Sequence, residues 1–414
     1  MTGPYAALQY PDFRNFIFAR FFITLAIQIQ ATVVGWQVYE ITKDPLSLGL
    51  IGLAEALPSI AVSLYAGHVA DVVNRKKIVV ITVAVLLACS VALLVFASDT
   101  VPLLQSWGAG PIYGTIFISG IARGFLSPAN FSLMPQLVPR ALFTNAVTLN
   151  STFWQAASIG GPMLAGIIYA TWGLQAAYAS DVVLVAASIT LYVLVTRQPL
   201  PPVTDEQGVV QKIKAGLSFV FNNQIILSAI TLDLFAVLFG GAVALLPVFA
   251  NDILFVGKFE FGVLRAAPGI GALLMAVYIT HHPIRKAMGK VLLWSVAGFG
   301  ITMIGFGLSK LYWLSVGLLL LSGMFDSVSV IIRSTLIQTL TPENMKGRVA
   351  AVNNIFIGSS NELGALESGV AAKLLGVIPS VVAGGHATLL VVGLTAWKAK
   401  KLRVLNSIEE AQRS

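Results

Sequence analysis

Charge is what this sequence has least of. Of its 414 residues only 11% are Asp, Glu, Lys or Arg, against about 25% in soluble domains. The hydrophobic share is 57% and the mean hydropathy +0.84. So little charge cannot cover a globule with polar surface, which excludes a water-soluble domain and leaves lipid as the solvent for most of the chain. Cysteine is almost missing as well: Cys89 stands alone in an apolar run, which excludes a disulfide framework and a thiolate metal cluster. The histidines, His68, His281, His282 and His386, fall in or near loops, and the adjacent pair cannot present two ligands from one helix face. No P-loop, no nucleophile–His–acid set and no polar segment long enough for an ATPase domain occurs. Neither catalysis nor a cofactor nor a metal site is therefore expected, and any energy source is an ion gradient. Ten-residue alternation is missing, which excludes a membrane β-barrel. No small-residue cleavage site follows the first apolar run, so that run reads as a retained span.

What is present is a series of apolar runs. A bilayer core about 30 Å thick needs roughly 20 apolar residues per helix. Twelve segments meet that length: 16–41, 46–70, 78–98, 110–135, 145–170, 176–197, 225–249, 261–280, 291–309, 311–336, 348–375 and 380–397. Backbone groups in lipid must be satisfied within their own segment, so each is expected to be a helix. Lysine and arginine set the orientation. With the N-terminus in the cytoplasm, that side holds Arg75, Lys76, Lys77, Arg140, Arg197, Lys212, Lys214, Arg285, Lys286, Lys290, Lys346 and Arg348, whereas the other keeps Lys43, Lys258 and Lys310. Both ends are then cytoplasmic. The net charge of +8 is a topology signal, with no nucleic acid implied.

The longest polar connection, 198–224, divides the chain. It separates an N-terminal six-helix half, 1–197, from a C-terminal one, 225–397, with a basic tail over 398–414. Within the connection Val209, Val210, Ile213, Leu217 and Val220 share a helical face, which suits a helix at the cytoplasmic membrane surface. A disordered tether is the alternative. The halves are related: a shift of 203 positions aligns "ISGIARG" at 118 with "LSGMFDS" at 321, Pro139 with Pro342, Asn150 with Asn353, Gly161 with Gly364 and Gly166 with Gly369. Two parallel six-helix repeats are an architecture of secondary transporters.

One polar turn carries a specific pattern. "GHVADVVNRKK", residues 67–77, sets Gly67, Asp71, Arg75, Lys76 and Lys77 between the second and third spans. It resembles the loop signature of the major facilitator superfamily, departing from it at Val72, Val73 and Asn74. "GWQVYEITKDPLSLGLIGLAEALP", "GIARGFLSPANFSLMPQLVP" and "TPENMKGRVAAVNN" are similar to the branch that contains enterobactin exporters and macrolide-efflux proteins. The resemblance implies an all-α integral membrane fold of two pseudo-symmetric six-helix halves, and a gating role for the loop. Asp71 would face the positive N-terminal end of the eleventh helix, near Gly347 and Arg348, where a carboxylate gains roughly 0.3–1 kcal/mol. Topology anchoring alone is sufficient for the three bases. "IGGPMLAG", with Gly161, Pro162 and Gly166, resembles the superfamily's exporter motif, and Pro162 bends its helix while the glycines permit close packing.

Ionisable groups inside spans are costly, so each is a functional candidate: Glu55, Arg123, Asp233, Asp326, Arg333, Glu362 and Glu367. Asp181 and Arg265 lie nearer span ends, within reach of water. Arg123 and Asp326 are equivalent under the 203-residue shift and are expected to face each other across the cavity, as a structural ion pair or a proton-exchanging one. Asp233 shows no local partner and reads as a proton carrier, with Asp326, Arg123 and Glu362 as further coupling residues. Gln28, Gln30, Trp36, Arg123, Asn130, Phe235, Phe239, Asp326 and Arg333 are the expected substrate cavity, joined by Trp154. Aromatic rings with a few polar groups suit an amphipathic ligand. The expectation is a monomeric, proton-coupled efflux transporter of a bacterial inner membrane, moving a small amphipathic molecule by alternating access. Its partners are then substrate, protons and the lipid bilayer. Export of a siderophore or metal chelate is the alternative, and a non-transporting receptor or scaffold the alternative of another class.

Overall fold

The computed structural model describes residues 5–98, 106–196, 209–284, 286–342 and 345–406. Among them every regular element is helical. The principal helices are α1 (Pro11–Thr42), α2 (Pro45–Val72), α3 (Arg75–Phe96), α4 (Gly110–Leu133), α5 (Phe143–Leu194), α6 (Val209–Asn222) and α7 (Gln224–Gly240). They continue with α8 (Lys258–His281), α9 (Met288–Leu308), α10 (Tyr312–Leu340), α11 (Lys346–Leu375), α12 (Val377–Lys398) and the short α13 (Lys400–Val404). Nine helical stretches among the described residues are long and apolar enough to cross a membrane by length and composition. α4 and α11 cover the expected fourth and eleventh spans but fall outside those nine, because glycine, serine, asparagine and charge dilute their apolar content.

Local chemistry explains where the helices begin and end. Pro11 opens α1, where its missing N–H is one the helix could not have paired. Lys43 closes it in the left-handed region, φ 50°. Asn74 caps α3 by accepting from the Lys77 N–H at 3.2 Å, and Asn223 caps α7 by accepting from the Ile226 N–H at 3.0 Å. α5 runs for 52 residues but is broken at Gly173, where φ is 84°. A side chain is disfavoured at that angle, so the expected fifth and sixth spans meet end to end at a glycine.

The helices gather into two compact units. Unit 1 comprises Met1–Lys43, Leu53–Glu206 and Gly257–Ala266; unit 2 comprises Asp44–Gly52, Gln207–Val256 and Ala267–Ser414. Each unit therefore takes a short segment from the other sequence half. The core of unit 1 joins Phe13, Phe16 and Ile17 of α1 to Val83 and Leu86 of α3, Leu126 of α4 and Val185 of α5. In unit 2, Leu232 and Ala236 of α7 interleave with Leu292 and Val296 of α9 and with Val328, Ile332 and Leu336 of α10. The connecting helix α6 uses its apolar side against protein: Leu217 and Val220 pack with Ile226, Ile337, Val349 and Val352. Gly216 there rests on the Arg348 backbone, where a side chain would have no room. Val209, Val210 and Ile213 have side chains outside the described ones. Some large aromatic residues face outward, Trp172 and Trp313 being 70% and 77% exposed, as suits a surface in contact with the membrane.

Candidate functional site

The basic turn after α2 ties unit 1 together. Arg75 Nη1 donates to the Ser132 carbonyl at 3.2 Å, in the last turn of α4, and Lys76 Nζ to the Val193 carbonyl at 2.7 Å, in the last turn of α5. Cations at helix C-termini satisfy orphan carbonyls and complement the helix dipole. These two bases thus hold three helix ends, a role that the spacing of the motif alone did not disclose. Lys77 supplies the backbone N–H to the Asn74 cap. The surroundings of Gly67, Asp71 and Gly347, on which the gating expectation depends, lie outside the described side chains.

Charge inside unit 1 centres on Arg123. Gly120, Arg123 and Gly124 recur at i, i+3 and i+4 and so share one face of α4. A side chain at Gly120 would collide with the Glu55 carbonyl, and one at Gly124 would place its Cβ 2.9 Å from the Ser59 carbonyl oxygen. The two glycines therefore seat the α2 backbone against the arginine's own face, and Glu55 pairs with Arg123 Nη1. Arg123 Nη2 also donates to Gln30 Oε1 on α1 at 3.2 Å. The partner of Arg123 within unit 1 is thus Glu55, an acid to which the repeat did not point. Arg265, in the first turns of α8, lies within electrostatic reach of Glu55. Asp181 also departs from expectation. It does not reach water but is 1% exposed, bonded to Ser90 of α3 and within electrostatic reach of Arg123.

Unit 2 carries the complementary cluster. Because Leu232 and Ala236 interleave with Ile332 and Leu336, the adjacent Asp233 and Arg333 meet, and they form a buried ion pair. Asp233 therefore has the partner that local sequence did not reveal. Asp326 lies seven residues before Arg333, two turns back along one face, and has no ion-pair partner among the described residues. Asp233, Asp326 and Ser329 line one recess walled by Val296, Phe299 and Phe325, with room for about one water molecule. Glycines seat both rings: Phe299 lies over Gly240 and Phe325 over Gly298. The buried Ser329 Oγ has no hydrogen-bond partner among the described residues. The 203-residue shift places Gln30 on Asp233, Arg123 on Asp326 and Asn130 on Arg333. The shifted positions are thus polar in both halves, and the charge changes sign between Arg123 and Asp326.

The remaining expected cavity residues are dispersed. Asn130 Oδ1 accepts from the Tyr192 hydroxyl at 3.0 Å and ties α4 to α5. Trp36 is buried with its ring 5.2 Å from that of Phe261, and its Nε1 finds no hydrogen-bond partner among the described residues. Phe235 and Phe239 stack at 6.1 Å with 11° between their planes, Phe235 being exposed. Trp154 is also exposed. Gln28 packs on Gly161, and Gly166 on Gly262, where an added Cβ would lie 3.0 Å from the neighbouring Cα. Pro162 lies inside α5, beside that contact. The Glu362 side chain is outside the described ones. Among described residues no group of His, Cys, Asp and Glu could hold a metal ion.

Comparison with known proteins accords with this geometry. The family of transmembrane secretion effectors matches residues 2–414. Enterobactin exporter EntS of Shigella boydii serotype 4 is 26% identical over 395 residues, which cover 93% of this chain and 91% of the relative. The crystal structure of a POT family transporter in complex with 5-aminolevulinic acid is similar at TM-score 0.72 and 10% identity, covering 94% of this chain and 96% of that one. A bacterial homologue of the iron transporter ferroportin, in an inward-facing state, is similar at TM-score 0.70 and 17% identity, with 95% and 99% covered. At such identities these structures speak to the fold alone. The match over the whole chain settles the family: the protein belongs to the transmembrane secretion effectors, membrane transporters of the major facilitator type.

Proposed function

We propose that the protein is a proton-coupled exporter of a small amphipathic compound, working by alternating access across a bacterial inner membrane. In this reading it is a monomer with twelve crossings and both termini in the cytoplasm. One observation carries the coupling. The unit 2 recess is lined by two carboxyls, Asp233 and Asp326, and the one guanidinium beside it, Arg333, is paired with Asp233. Burying a net charge in a low-dielectric interior is costly, and one proton makes this set neutral. Arg333 claims Asp233, so Asp326 takes the proton. This moves the carrier role from Asp233, where local sequence had put it, to Asp326. Phe299 and Phe325 beside the acids offer apolar surface to an amphipathic ligand.

The test is transport in proteoliposomes with and without an imposed pH gradient. Asp326→Asn should abolish uphill efflux and preserve passive exchange. A variant that still concentrates substrate against its gradient would overturn the assignment. Siderophore export is the second reading, favoured by relatives that carry the name enterobactin exporter over 93% of this chain. Counterflow with catecholate siderophores beside lipophilic dyes and macrolides separates the two readings: accumulation of the former alone selects siderophore export.

A further inference from the structure

Unit 1 holds an acid that the proposed coupling does not use. Asp181 lies in α5 beyond the Gly173 break and is 1% exposed. One carboxylate oxygen is hydrogen-bonded to Ser90, while among the described residues the buried Oδ2 has no hydrogen-bond partner and no cation bonds it directly. An ionised carboxylate can accept about four hydrogen bonds, and leaving most of that capacity empty in an apolar interior is costly. The ionisable groups around it are few. α3 presents Cys89 beside Ser90, α4 presents Arg123, and its own helix presents Tyr178, whose hydroxyl donates to Gln37 Oε1 at 2.5 Å. The charges of α1 are engaged elsewhere: Asp12 with Thr196, Arg20 beside Tyr192, Glu40 with Tyr169, and Arg14 is exposed. Arg123 is thus the cation that Asp181 senses, and Glu55 already holds it.

We propose that Asp181 is a second proton-exchanging carboxyl, one that competes with Glu55 for the Arg123 guanidinium. A proton from water binds Oδ2, the group goes from charged to neutral, and Arg123 is left to Glu55 and Gln30. Loss of that proton draws Arg123 toward α5 and loosens its tie to α2. Asp181 touches no reacting atom of the substrate, so it is a positioning residue. Its place in transport rests on the proton-coupled reading, but its proton binding is measured without transport.

Cys89 is the only cysteine of the chain, buried and within electrostatic reach of Asp181. Its S–H stretching band is therefore a single-site reporter. Infrared titration of the full chain in lipid nanodiscs should show that band shifting in one proton-binding step. The step should vanish in Asp181→Asn and persist in Asp326→Asn. Ser90→Ala keeps the acid but removes the hydroxyl that steadies its charged form, so the midpoint should move to higher pH. A band that ignores pH in the wild type, a step that survives Asp181→Asn, or an unmoved midpoint in Ser90→Ala would each overturn the proposal.

Discussion

Two arginines in the membrane-spanning helices, Arg123 and Arg333, are each bound to an acid of a neighbouring helix in the same unit. Such pairs rarely add net stability over an apolar replacement, yet breaking one leaves a lone buried charge, which costs about 3–5 kcal/mol. Arg333→Met should therefore lower the thermal unfolding temperature in detergent markedly, and so should Asp233→Asn. The double variant should recover much of the loss. Equal losses that simply add would show that the two side chains act independently. The partners themselves were only half legible. The residue types and their depth are plain from sequence, because charge in an apolar run is conspicuous. Which acid meets which arginine was not, because Glu55 and Arg123 are 68 positions apart and joined only by the packing of α2 on α4.

Contacts between helices follow a small-residue logic. Gly166 packs on Gly262 in unit 1, and Gly369 packs on Gly49 in unit 2, each with an added Cβ 3.0 Å from the opposite Cα or closer. An ion pair lies beside each contact. Lys258 Nζ is 3.9 Å from Glu40 and 4.0 Å from the Tyr169 ring centre, and Lys373 Nζ is 2.7 Å from Asp44 Oδ2. Gly369→Val should separate α2 from α11, seen as lost crosslinking between cysteines placed at the exposed Leu50 and Val370. The Asp44 turn adds a pH signature. The Lys373 ammonium, aided by the Leu46 N–H, holds the Asp44 carboxyl below its usual range. Its contribution is therefore complete above the ordinary carboxylate value, about 3.9, and disappears as pH falls through the lower folded value. Both groups are well exposed, so the effect is small, about 0–1 kcal/mol. Lys373→Gln should lower stability at neutral pH by that amount and flatten the acid limb of the profile, leaving stability at the acid end nearly unchanged. The 203-residue shift had already matched Gly166 with Gly369, but the partners Gly262 and Gly49 became visible only once helices were packed.

For the molecule as a whole, charge placement predicts which side faces the cytoplasm. The single cysteine makes this easy to test, since Cys89→Ser gives a cysteine-free background. In it, Lys286→Cys should react with an impermeant maleimide only after the membrane is opened, and Lys310→Cys in intact cells. Both positions are exposed. The reverse pattern would invert the topology.

Helicity and membrane residence were determined by composition and spacing, because lipid leaves a backbone few ways to satisfy its own hydrogen bonds. The number of apolar runs and the glycine-rich faces of α4 and α5 could be read in one dimension for the same reason. Tertiary structure alone decided the pairing of charges. It gave Arg123 to Glu55 and Asp233 to Arg333, buried Asp181 against Ser90, and set Asp326 in one recess with Asp233. Electrostatic partnership depends on distances of a few ångströms between helices that are far apart in sequence, and no periodicity within a helix encodes such distances.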